Sequence, residues 1–298
     1  MEKRQLGKTD ITASVLGFGG AEIGFQDTTP ESVTEMLNAA VDAGLNVIDT
    51  ASAYKESEEL IGNAVSRRRK EFFLFTKCGA TDGFTRFDWS RRGIAQQIEQ
   101  SLRALKTDYV DLIQLHSCSA DILKNGEAID AVQEAREKGY ARYIGYSGDG
   151  QDAVTAIQTG VFDTLQTSIS IADQEAIDLT LPLARERGMG VIVKRPIANA
   201  AWRTGEKPVD EYHHTYWERL QKLDYDFLKG DLKESIAKAL RFTYSQEGIT
   251  TMIVGTTKPG RWKENAEILE AGALSQEELQ KIRACWKEVA DETWVGQV

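Results

Sequence analysis

Cysteine is scarce in this chain of 298 residues: Cys78, Cys118 and Cys285 are the three, and no two stand in a CxxC spacing. An odd, scattered set suits reduced thiols, so a disulfide framework is not expected and a cytoplasmic location is. Histidine is equally sparse at three residues, there is no HExxH, and the adjacent His213-His214 has no spaced carboxylate or cysteine with which to bind a metal. Asn-X-Ser/Thr acceptors are absent, and no uninterrupted apolar run approaches the roughly 20 residues that span a bilayer. The opening MEKRQLGKTD carries charge with no apolar core behind it, so no secretory leader is expected. Positive charge is in deficit: 36 Lys+Arg stand against 46 Asp+Glu, a net charge of −10. Nucleic acids and anionic membranes both require a positive field, so neither is an expected partner. No Walker A loop occurs, and Gly17-Phe18-Gly19-Gly20-Ala21-Glu22 has glutamate where the third glycine of a dinucleotide fingerprint belongs. With no clear helix after it, that segment does not make a Rossmann site.

What is present is the composition of a soluble globular enzyme, 41% hydrophobic and 28% charged. The length allows two ordinary domains or one barrel. Short apolar runs at Ala13–Gly20, Leu45–Ala51, Phe72–Cys78, Tyr109–His116, Ala141–Gly148, Asp163–Ser170, Gly190–Pro196 and Thr250–Thr256 have the near-continuous hydrophobicity of parallel strands covered on both faces. Helical patterns separate them: Glu31–Ala43, Glu56–Arg69, Arg91–Leu105, Gly126–Lys138, Gln151–Thr159, Gln174–Arg187 and Asp231–Gln246, with Lys263–Glu270 after the eighth strand. Eight strands interleaved with helices predict a (β/α)8 TIM barrel, one domain over residues 1–298. A doubly wound open sheet fits the strand count less well. Three segments lie outside the repeat: an N-terminal β-hairpin at residues 3–12 turning at Gly7-Lys8, a long insertion 197–230 after strand seven with a helix at Tyr212–Lys222, and a C-terminal helix at 275–290 opened by the capping box of Ser275 and Glu278.

Chemistry concentrates where the strands end. Asp49 closes strand two, Lys77 strand three and His116 strand four, while Ser147, Gln166 and Lys194 follow on strands five to seven. In a barrel these ends converge on one face. Singly, each has a plain structural explanation: a lysine returning to solvent, a boundary histidine, an aspartate capping a turn. Together they point to a site, because buried charges need partners and the three strands are consecutive. Tyr54 lies five residues beyond Asp49, in the loop leaving the same strand. A lysine ammonium beside a phenol lowers its pKa, which would suit Tyr54 to deliver a proton to a carbonyl oxygen.

These residues resemble the aldo-keto reductase family over nearly the whole chain. Gln5-Leu6-Gly7-Lys8-Thr9 with Val15–Gly19 is similar to the family's opening; Asp49-Thr50-Ala51 with Tyr54, Glu58 and Gly62 resembles its Asp-Thr-Ala-x-x-Tyr signature. The segment Asp108–His116, the strand Gly139–Ser147, and Arg261 with Glu264-Asn265 resemble, in turn, the approach to the catalytic histidine, the strand ending in a cofactor-binding serine, and the adenosine end of the cofactor site. The resemblance implies a catalytic tetrad of Asp49, Tyr54, Lys77 and His116, with Tyr54 as general acid/base, Lys77 lowering its pKa, Asp49 pairing with Lys77, and His116 orienting the substrate carbonyl. It further implies Ser147 and Gln166 on the nicotinamide carboxamide, Lys194 in the cofactor site at the place where an aromatic often stacks on the ring, the loop after Pro196 over the pyrophosphate, and Thr256, Arg261, Glu264 and Asn265 at the adenosine phosphate. Four features depart from the commoner pattern: Gly148 stands for asparagine, Lys194 for a stacking aromatic, Gly255 for a phosphate-binding lysine, and His116-Ser117-Cys118-Ser119 lacks the proline or acid often seen just after the histidine, which alters the pocket wall. A preference for NADP therefore rests mainly on Arg261, with NAD as the alternative.

The expected activity is interconversion of an aldehyde or ketone with its alcohol by direct hydride transfer from NADP(H), on a small-molecule substrate and without a metal. The rival from another class is a nicotinamide-binding regulatory or redox-sensing protein with little turnover. A third possibility, Lys77 as a Schiff-base nucleophile, is opposed by Asp49, which keeps the lysine charged. Tyr212, Tyr216, Trp217 and Trp294 are expected walls of the substrate pocket, and Cys78 is expected to pack behind its strand and stay inert. No feature of the sequence marks an oligomeric state.

Overall fold

A parallel strand with apolar residues on both faces needs cover on both, and the chain supplies it by closing on itself. The computed structural model describes residues 1–297. Its strands β1 (Leu16–Gly19), β2 (Val47–Asp49), β3 (Phe73–Cys78), β4 (Val110–His116), β5 (Ala141–Ser147), β6 (Thr164–Ser168), β7 (Gly190–Lys194) and β8 (Thr251–Gly255) form a closed, parallel barrel in chain order. Outward side chains such as Phe18, Ile48, Leu74, Ile113, Ile144, Leu165, Val193 and Val254 pack under the surrounding helices. Inward, Val47, Phe75, Leu112, Ile192 and Ile253 fill the interior together with Leu6, Ile11 and Ala13 of the hairpin. That hairpin pairs Lys3–Gln5 with Thr12–Ser14, and Ser14 N donates to Asn46 Oδ1 just ahead of β2, so it closes the end of the barrel where the strands begin.

The two-residue period of a strand carries this inward parity to the opposite end. Two residues beyond Val47, Phe75 and Ile192 stand Asp49, Lys77 and Lys194; beyond Leu112 come Gln114 and His116. The floor of the mouth is thus polar because the alternation that packs the interior ends in charged residues.

Several elements differ from the periodicity-based expectation. The first strand loses its N-terminal half to the hairpin, since Thr12–Ser14 pairs with Lys3–Gln5. The helix expected over Gln174–Arg187 is two, Glu175–Leu179 and Leu181–Arg187, because Pro182 cannot continue an α-helix from the preceding turn. The helix after β2 ends at Val65 and tightens into a 3-10 turn over Ser66–Glu71. A short helix, Ala21–Phe25, does follow the glycine-rich segment, and the helix after β8 begins at Arg261. A small hairpin of Ala80–Thr81 with Arg86–Phe87 and a helix at Ala120–Asn125 carry no periodic signal, being too short to show one.

The insertion after β7 builds its own core. Its helix His214–Leu223 buries Tyr216, Leu220 and Leu223 against Trp202, Phe242, Ile282 and Trp294. The buried Arg219–Asp173 ion pair ties it to the barrel, and Arg219 also donates to the Val295 carbonyl at 2.8 Å. Tyr216 and Trp294 are therefore interior to this cluster and not walls of the mouth; Trp217 packs against the same cluster, and Tyr212 alone of the four reaches the mouth, through its contact with Arg195 at 2.7 Å.

Candidate active site

Five inward residues from five consecutive strands form one network. Lys77 Nζ on β3 lies 2.5 Å from Asp49 Oδ2 on β2 and donates to the Thr50 carbonyl at 3.0 Å. The second oxygen of Asp49 accepts from Gln114 Nε2 on β4 at 3.2 Å and from Gln166 Nε2 on β6 at 2.9 Å. Ser147 Oγ on β5 donates to Gln166 Oε1 at 3.1 Å. Asp49 and Lys77 are buried to 1% and 0% exposure, a depth at which an isolated charge would be costly, so the pair and its hydrogen bonds are what allow both to stand there. Burial draws the Lys77 pKa down, and the Asp49 charge opposes that shift.

Tyr54 hangs over this pair: Lys77 Nζ is 5.1 Å from its ring centroid, and the His116 ring meets it edge-on at 5.6 Å. Phe84 packs edge-on to His116 at 4.8 Å, and Phe25 edge-on to Tyr54 at 5.9 Å. The expected lowering of the Tyr54 pKa is not what this arrangement produces. Burial pushes the phenol well above its ordinary value and the Asp49 charge adds to the rise. The Lys77 charge is spent on Asp49, so its field at the phenol is that of a dipole and not of a free cation. Burial, followed by the charges of Lys77, Lys194 and Arg195, holds His116 well below its ordinary value, so its imidazole is neutral. Its buried Nδ1 has no hydrogen-bond partner among the described residues.

The next part of the rim is cationic. Lys194 at the end of β7 pairs with Asp149 at 2.9 Å and donates to the Gln297 carbonyl at 3.3 Å. Burial alone would raise the Asp149 pKa, but the Lys194 charge and hydrogen bonds from Ser168 and Thr167 bring it below normal. Arg195 follows with φ +57°, and Ala198, Asn199 and Ala200 are all left-handed, an accumulation of backbone strain just past β7. Pro196 is buried, its carbonyl accepting from Thr243 Oγ1 at 2.8 Å. Beyond β8, Thr256 Oγ1 accepts from Lys258 N at 3.0 Å, and Arg261 pairs with Glu264 at 2.9 Å at the start of the helix Arg261–Leu269. No side chain caps that helix; Gly260 precedes it at φ +80°. Asn265 lies buried in its second turn. Gly148 is required by Tyr146, whose phenol donates to the Cys118 carbonyl and fills the space a side chain at 148 would need.

A statistical model of the Aldo/keto reductase family matches residues 15–287. The chain belongs to the aldo/keto reductase family. It is 29% identical over 306 residues to the uncharacterized oxidoreductase YqkF of Bacillus subtilis (strain 168), covering 97% of each chain. It is 28% identical over 315 residues to the L-galactose dehydrogenase of Arabidopsis thaliana, covering 99% of this chain and 97% of that one. Among solved structures, the holo form of aldo-keto reductase AKR11C1 from Bacillus halodurans superposes with a TM-score of 0.81 at 28% identity, covering 99% of both. The protein is an oxidoreductase of the (β/α)8 aldo/keto reductase fold, and its family uses a nicotinamide cofactor.

The residues present fit such a cofactor. An uncapped helix start beside Arg261 offers free amides and a cation to a phosphate, and Lys194 and Arg195 add positive charge to the rim of an otherwise acidic protein. Asp49, Tyr54, Lys77, His116, Ser147 and Gln166 share one mouth; Lys194 and Pro196 border it, and Thr256, Arg261, Glu264 and Asn265 occupy the loop and helix that continue from β8. Sequence inspection passed over Gln114, Asp149, Arg195, Phe84 and Glu22. Gln114 had a signal, a polar residue in phase with His116 inside an apolar strand; the others lie in loops or in helical turns too short to show a period. Cys78 packs outward under the helices, and burial raises both thiols, that of Cys118 to about 12.

Proposed function

We propose that the protein is an NADP(H)-dependent oxidoreductase that interconverts an aldehyde or ketone and its alcohol, with Tyr54 as the proton donor. The observation that carries this is the half-buried Tyr54 phenol, its ring 5.1 Å from Lys77 Nζ of the lysine–carboxylate pair and edge-on to His116 at 5.6 Å. When bound, the nicotinamide supplies hydride to the carbonyl carbon or takes it back from the alcohol carbon. In reduction, the electron pair of the C=O bond moves onto oxygen, and Tyr54 gives that oxygen its proton. The Lys77 ammonium then faces the phenolate, which recovers a proton from water. His116, neutral, donates a hydrogen bond to the same oxygen and sets its orientation. Asp49 keeps Lys77 charged and in place.

Ser147 and Gln166 would hold the carboxamide, Lys194 and the strained loop past Pro196 the nicotinamide ring and pyrophosphate, and Thr256, Arg261, Glu264 and Asn265 the adenosine phosphate. Arg261 carries the preference for NADP, its planar fork suiting a 2′-phosphate. The substrate is a small carbonyl compound; the name of the plant relative, L-galactose dehydrogenase, makes sugars the first class to try. We read residues 1–298 as one catalytic domain, working in the cytoplasm; no helix among the described residues is long and apolar enough to cross a membrane. A panel of aldehydes, ketones and sugars assayed by NADPH absorbance tests the proposal. It predicts multiple turnovers with at least one carbonyl class, whereas NADPH binding without turnover on any member would contradict it.

A further inference from the structure

Glu22 belongs to the short helix Ala21–Phe25 that leaves β1, and its carboxylate rests against Gly255 at the end of β8. Gly255 stands two residues beyond the inward-facing Ile253, so the carboxylate lies on the barrel-axis side of the mouth. A side chain at position 255 would occupy the space that both carboxylate oxygens now fill. Phe25, three residues on, packs edge-on to Tyr54 at 5.9 Å, which fixes this helix relative to the phenol. Among the described residues Glu22 makes no ion pair, and the hydrogen bond to its carboxylate comes from its own backbone N–H. Arg195 and Tyr54 are near enough for charge to couple with it. A half-buried carboxylate with open lone pairs is costly unless a ligand supplies donors.

The surroundings select the donor. Lys77 and Lys194 are neutralised by Asp49 and Asp149. Arg195, close enough to couple with the carboxylate, disfavours a cationic ligand there, and the carboxylate itself repels an anionic one. A neutral hydroxyl is the donor that remains. We propose that Glu22 is a specificity-determining residue, the acceptor for a hydroxyl group close to the reacting carbonyl, selecting hydroxyaldehydes and aldoses over plain aldehydes. This rests on the oxidoreductase reading of the Tyr54 mouth.

The test compares glyceraldehyde with propionaldehyde, NADPH being the cofactor, in the native protein, Glu22→Met and Glu22→Gln. Methionine keeps the length without the charged acceptor; glutamine keeps the shape and a neutral one. A charge-assisted hydrogen bond at this place predicts that Glu22→Met lowers kcat/KM for glyceraldehyde tenfold or more and changes that for propionaldehyde less than threefold, with Glu22→Gln between. NADPH affinity, from fluorescence titration, is expected to stay constant. An unchanged glyceraldehyde-to-propionaldehyde ratio in both variants overturns the proposal. Equal losses for the two aldehydes, together with weaker NADPH binding, also overturn it by assigning the hydroxyl to the cofactor ribose. Tyr54→Phe in the same assay separates the two levels of inference: turnover unaffected there contradicts the proton-donor reading, whatever Glu22→Met does.

Discussion

At the scale of single residues, the site works by burial as much as by charge. Tyr54 stays protonated and His116 stays neutral because the mouth withdraws both from water, and Lys77 can remain an ammonium only because Asp49 is beside it. Behind this pair lies a second buried carboxyl. Glu58 accepts from Thr76 Oγ1 at 2.5 Å, one residue before Lys77, and burial raises its pKa to about 7. Between the ordinary carboxylate range and that value the folded protein keeps a proton that the unfolded chain has released. Its contribution to stability is therefore complete below the unfolded pKa and is lost as pH rises through about 7. A shift of this size corresponds to about 3 kcal/mol. Glu58→Gln should remove the slope: urea unfolding at pH 4 and pH 8 should show native stability falling by up to that amount relative to the variant, while parallel profiles would show that Glu58 does not titrate this way.

At the scale of elements, sequence legibility followed length. The eight strands and the long helices announced themselves because a period needs several residues to be visible, and the placement of Asp49, Lys77, Gln166 and His116 at strand ends followed from that alternation. The short pieces that finish the mouth, the helix Ala21–Phe25, the turn after β3 that carries Phe84 and the loop after β7 that carries Arg195, have no visible period, and their positions depend on contacts between distant parts of the chain. The Tyr54 shift was misjudged for a related reason: sequence placed a lysine near the phenol but could not show that Asp49 would absorb its charge. The helix Arg261–Leu269 offers an element-level test. Arg261 and Glu264 are exposed at 42% and 60%, a pairing worth little, so the guanidinium is free to exchange a carboxylate for a phosphate. Arg261→Ala should weaken NADPH roughly tenfold to a hundredfold in fluorescence titration and leave NADH nearly unchanged. Equal losses for both would remove Arg261 as the reader of the 2′-phosphate.

At the scale of the whole molecule, the barrel separates stability from chemistry. The hairpin seals one end with Leu6, Ile11 and Ala13, while Asp49, Tyr54, Lys77 and His116, the Lys194–Arg195 rim and the β8 helix occupy the other. Leu6 is fully buried, so Leu6→Ala should cost about 2–5 kcal/mol in denaturant unfolding and leave kcat within twofold at temperatures where the variant stays folded. A large fall in kcat without loss of stability would mean that the two ends are coupled. The central claim, that Tyr54 delivers the proton, is tested most directly by single-turnover oxidation of enzyme-bound NADPH with a saturating aldehyde in Tyr54→Phe. The ring and its packing remain, so NADPH should bind as in the native protein while the chemical step slows on the order of 10² to 10⁴-fold. A native-like rate in that variant would contradict the mechanism.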